Sequence, residues 1–176
     1  MMKIRPRRLV AALGLIVLII AGYVGWQIYK GQQMANIQAP TTPSSQSTSP
    51  TSVPASANYK QFMSKTYQQM LQEVQNLQSN TLALQGGKIS LSSYKSSILQ
   101  SQATFSSAEA FVRANPPANA KLKASYQEFL AGISLAKQAT GVVLEGISSF
   151  NVSKFYAARD MGITAQQQVV NGYSQL

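Results

Sequence analysis

Five carboxylates, Glu73, Glu109, Glu128, Glu145 and Asp160, carry whatever acid–base chemistry this 176-residue chain could perform. The sequence contains no His and no Cys, which removes imidazole bases, thiol nucleophiles and the usual ligands of zinc and haem. Glycoside chemistry needs two acids facing each other across about 5–9.5 Å, and di-iron bundles need Glu-x-x-His pairs, which do not occur here. Glu145 and Asp160 are the one pair that chain order brings close, and with Lys154 and Arg159 beside them they read as an exposed ion network. Gly86-Gly87-Lys88 lacks the remaining spacing of a phosphate-binding loop. The expectation is a protein that is not an enzyme, with no catalytic residue, no cofactor and no metal site.

The elements that would position any site are helices. Beyond Asn58 the apolar residues recur in steps of three and four, without strand alternation. The first stripe is Met63, Tyr67, Met70, Val74, Leu77, Thr81 and Leu84, stopped by Gly86 and Gly87. The second is Leu91, Tyr94, Ile98, Ser101, Phe105, Ala108 and Val112, with Ser90 as cap and Ile89 and Tyr94 as a staple. Pro116 and Pro117 close it and can open the next helix. The third stripe is Leu122, Tyr126, Phe129, Ile133, Ala136, Thr140, Val143, Ile147 and Phe150. The fourth, starting after Asn151, is Phe155, Ala158, Gly162, Ala165, Val169, Gly172 and Leu176. Asn151-Val152-Ser153 also matches a glycosylation sequon, but a cap is the expected role of Asn151.

The predicted fold is all-α: helices at about 59–85, 90–114, 117–149 and 152–175, in an antiparallel up-down-up-down four-helix bundle spanning 59–176. Short connections force neighbouring helices to run in opposite directions. Ser101, Ala136, Thr140, Gly162 and Ala165 fall at similar depth, a mid-bundle zone of small side chains. Either the helices approach closely there, as packed interiors favour, or a pocket lined by Ser101, Thr140 and Gly162 receives a small apolar or amphipathic ligand.

Ahead of the bundle, Leu9 to Tyr29 is an uncharged apolar run preceded by Lys3, Arg5, Arg7 and Arg8. At about 1.5 Å per residue it can cross a ~30 Å hydrocarbon core. It is longer than the apolar core of a cleavable signal, so a retained single-pass anchor is expected. The basic residues place residues 1–8 in the cytoplasm and the bundle outside it, and Tyr23, Trp26 and Tyr29 suit an outer aromatic belt. Residues 30–58 form a Ser/Thr/Pro-rich linker whose 39–57 stretch has ten Ser or Thr, four Pro and no charge. Such a composition is expected to be disordered. Ala21 and Gly25 form a small-xxx-small pair that would permit anchor dimerisation, although nothing else supports a homo-oligomer.

The formal charge is +10, of which ten basic and five acidic residues fall within the bundle. Lys60, Lys65, Arg113, Lys121 and Lys123 gather at the tethered end, a candidate contact for anionic lipid or wall polymer. Nucleic acid is not an expected partner, because it would want a denser basic stripe with stacking aromatics, and the Tyr and Phe positions here mostly belong to the inner stripes. In outline the chain resembles the small anchored helical-bundle proteins of Gram-positive bacterial envelopes, a likeness of architecture that transfers no residues. It implies a non-catalytic interaction or scaffold module at the cell envelope, with an unidentified protein partner. The alternative is a ligand-binding or sensing bundle; with only about eight cytoplasmic residues expected, it would act through a separate transmembrane partner.

Overall fold

The computed structural model describes residues 58–176, which form four α-helices and one short 3-10 turn. The helices are α1 (Tyr59–Gln85), α2 (Leu91–Ala114), α3 (Lys123–Ser149) and α4 (Val152–Ser174), packed as a helical bundle. No strand occurs among the described residues. None of the described helices is long and apolar enough to cross a membrane. The expected anchor at 9–29 and nearly all of the linker lie outside the described residues.

Each boundary has a local cause. Gly87 adopts φ 66°, and the Lys88 and Gly87 amides donate to the Ala83 and Leu84 carbonyls at 2.8 and 3.1 Å, a glycine-dependent Schellman closure of α1. Ser90 Oγ accepts from the Ser93 amide at 3.0 Å and starts α2. The third helix departs from expectation: it begins at Lys123 after a 3-10 turn at Ala120–Leu122, not at Pro117. Asn119 is the reason. Its backbone is extended, and its side chain accepts from the Lys121 amide at 3.0 Å, capping the 3-10 turn so that the α-helix starts six residues late.

Inner stripes follow the sequence pattern with two exceptions. Leu91, expected inside, is exposed, because Ile89 takes the place against the Leu84, Tyr94 and Phe155 cluster. Phe150 is 59% exposed and adopts φ 51°, turning the chain from α3 into α4 instead of packing inward. A left-handed residue other than Gly costs about 1–2 kcal/mol. Since little burial is lost, Phe150→Gly should stabilise the bundle by about 1 kcal/mol, read as a higher urea midpoint. An unchanged or lower midpoint would contradict this account of the turn.

Helix starts and ends meet as antiparallel neighbours require. Tyr59 Oη donates to the Asn115 carbonyl at 2.6 Å, Lys60 Nζ to the Ser174 carbonyl at 2.5 Å, and Tyr126 Oη to the Val112 carbonyl at 3.2 Å. Of the four interfaces, α3 against α4 is the tightest. A Cβ placed on Gly132 would lie 2.7 Å from the Ala165 carbonyl oxygen, and one on Gly172 would lie 2.3 Å from the Phe129 nitrogen. Only glycine permits backbones this close. By contrast, α1 holds α4 at one end, through Tyr67 and Tyr173, whose rings stack at 3.9 Å.

Candidate functional site

Gly132 of α3 and Gly172 of α4 let the two helices approach closely, and the small residues of α4 facing α1 fill little of the remaining space. The result is a cavity of about 150 Å³ in mid-bundle. Its walls include Val74 and Leu77 of α1, Ile98 of α2, Val143 of α3, and Ala158 and Gly162 of α4. A Cβ added to Gly162 would meet nothing within 4 Å. The cavity opens between α1 and α4, and its volume is enough for a ring the size of benzene.

The hydroxyls at the wall are already committed to protein acceptors. Thr81 Oγ1 donates to the Leu77 carbonyl at 2.7 Å, so its 3.0 Å contact with Tyr94 Oη is a bond that Tyr94 donates. Burial raises the Tyr94 phenol above its usual pKa. Thr140 Oγ1 donates to the Lys137 carbonyl at 2.6 Å. The interior therefore presents an apolar surface, suited to holding a hydrocarbon and not to moving a proton.

Of the three expected pocket residues, Thr140 and Gly162 line the cavity and Ser101 does not. Ser101 is buried, but its Oγ lies 2.5 Å from Glu73 Oε1 and 3.0 Å from the Ser97 carbonyl, which turns it to the α1 seam. Sequence reasoning missed Arg159, Gln78 and Gln166, the polar side chains at the wall. The signal was present in their spacing: Arg159 and Gln166 flank Gly162 at one helical turn on either side.

The carboxylates are dispersed. Glu145 accepts from Lys154 at 2.8 Å and Asp160 pairs with Arg159 at 2.7 Å, two separate pairs and not one network. Among the described residues, no group of three or more His, Cys, Asp or Glu could hold a metal. Glu109 is only 7% exposed and is gripped by Arg113 at 2.7 Å and by Lys137.

The five basic residues expected at the end near Asn58 differ in availability. Arg113 is taken by Glu109, and Lys60 bonds the Ser174 carbonyl while lying 5.3 Å over the Tyr173 ring. Lys65, Lys121 and Lys123 are exposed and make no ion pair among the described residues.

The Lys137 hydrogen bond, followed by that of Arg113, holds the Glu109 carboxyl below its usual pKa, outweighing the opposite effect of burial. A carboxyl with a depressed folded-state pKa adds stability above the unfolded value of about 4.3, and loses it as pH falls through the folded value. Stability should therefore drop on the acid side of about pH 4. Glu109→Gln should cost about 1–2 kcal/mol at pH 7 and flatten that drop, as read by urea midpoints across pH. Parallel profiles for the two proteins would contradict the assignment.

No protein-family profile matches the chain, and neither a curated protein nor a solved structure shows significant similarity to it.

Proposed function

We propose that this chain is a non-catalytic binding module, an antiparallel four-helix bundle held outside the membrane by the apolar run at 9–29, that takes a small apolar or amphipathic ligand between α1 and α4. The observation that carries the reading is the mid-bundle cavity, open at Gly162 and lined almost wholly by hydrocarbon. Bundle cores are a recurrent place for such ligands. In an ordinary core of this size the same volume would be filled by side chains, since interiors pack to a density of about 0.74.

The test is mass spectrometry of small molecules retained by the full chain purified from membranes, wild type beside Gly162→Leu. An amphipathic compound that accompanies the wild type and is lost from the variant is the expected result. Identical small-molecule profiles for the two would count against the reading. An interaction or scaffold role at the envelope is the second reading. It is favoured by Lys65, Lys121 and Lys123, three exposed cations at the end where the chain enters the bundle at Asn58.

A further inference from the structure

Building on the ligand-binding reading of the cavity, we propose the class of ligand: an amphipathic monoanion, with an apolar body of about six to eight carbons inside and a carboxylate head on Arg159 at the opening between α1 and α4. Arg159 is the single charged side chain in the cavity wall. Its side chain is 21% exposed, and its guanidinium carbon lies 5.5 Å from the centroid of the Tyr156 ring, at the outer edge of the wall. Inside, the Thr81, Tyr94 and Thr140 hydroxyl protons are all donated to protein oxygens, so no hydroxyl donor remains for a buried head group. The head must therefore sit at the opening, where the donors are.

A second donor belongs to the same cavity wall. Gln78 of α1 lines the cavity together with Arg159 of α4. The Gln78 amide nitrogen is buried and has no hydrogen-bond partner. A buried donor without an acceptor is unfavourable, and a small side-chain rotation toward a ligand oxygen would relieve it. Guanidinium and amide donors in one otherwise apolar wall favour an acceptor head over a cationic one.

Asp160 sets the charge of that head. It accepts from Arg159 Nε at 2.8 Å and from an Arg159 terminal nitrogen at 2.7 Å, while its own side chain is 64% exposed. Such an exposed pair is weak and leaves other guanidinium N–H groups to donate. The Asp160 charge formally cancels that of Arg159, but across a solvent-exposed and therefore screened contact, which suits a carboxylate monoanion better than a phosphate dianion.

The experiment uses the full chain in phosphatidylcholine nanodiscs with ¹³C-labelled Ala and Val methyls, titrated with octanoate, octanol and octylammonium against empty nanodiscs. Saturable shifts at Val143, Ala158 and Ala165 are expected, with octanoate binding about tenfold more tightly than octanol and octylammonium weakest. Arg159→Gln should erase the octanoate advantage and leave octanol unchanged. Equal affinity for octanoate and octanol in the wild type, or equal loss of both in Arg159→Gln, overturns the head-group assignment while leaving the cavity reading intact. Absence of a saturable shift with any of the three overturns both.

Discussion

Replacing Gly172 by Ala should destabilise the bundle by about 3 kcal/mol, a loss large enough to leave much of the chain unfolded at moderate urea. The added Cβ would lie 2.3 Å from the Phe129 nitrogen, 2.7 Å from its Cα and 2.8 Å from the Ser125 carbonyl oxygen. These are backbone atoms, so no rotamer change relieves the clash, and α3 and α4 must separate. Separation opens the contact around Phe129 and Val169, which are buried in the larger core cluster. Gly132→Ala should act in the same direction, because its Cβ would meet the Ala165 carbonyl and the Val169 nitrogen at 2.7 Å. Urea unfolding followed by circular dichroism measures both. Wild-type midpoints would show that the two helices do not approach as closely as described.

Gly162→Leu should do the opposite. The same change of type, in the same helix, removes the entropic penalty of an interior glycine, about 1 kcal/mol against a good helix former. It also places four carbons in empty space. A net gain of about 1–2 kcal/mol is expected. The larger effect is on binding: the side chain occupies most of the cavity and should weaken uptake of a benzene-sized molecule by at least about 100-fold. Methyl shifts of the wall residues during a benzene titration read it. A variant that binds benzene as the wild type does would place the ligand elsewhere.

The contrast between these two glycines shows where sequence reading stopped. Both lie on the inner stripe of the fourth helix, and the 3.6-residue period identifies that stripe, not the neighbour that each residue meets. Gly172 meets the α3 backbone, whereas Gly162 meets open space. Close approach and a cavity are therefore not rivals: α4 lies close against α3 at Gly132 and Gly172, while Gly162 borders the cavity. The number and type of helices were legible because the stripes are long and the stops are strong, with Gly87 and Asn151 in their expected roles.

The departures sit at chain reversals. Asn119 delays α3 by a cap whose competition with the prolines leaves no trace in periodicity, and Phe150 occupies a left-handed turn that composition assigns to Gly. Ser101 was placed at the right depth but on the wrong seam, since Glu73 claims its hydroxyl from α1. A periodic pattern cannot anticipate such cross-helix bonds.

The central claim is that the bundle holds an empty apolar volume between α1 and α4. It is tested most directly by ¹²⁹Xe NMR of the full chain, because xenon enters dry cavities of this size without needing a polar partner. The account predicts a saturable xenon shift in the wild type that disappears in Gly162→Leu. A response that is identical in the two proteins, or absent from the wild type, would contradict it.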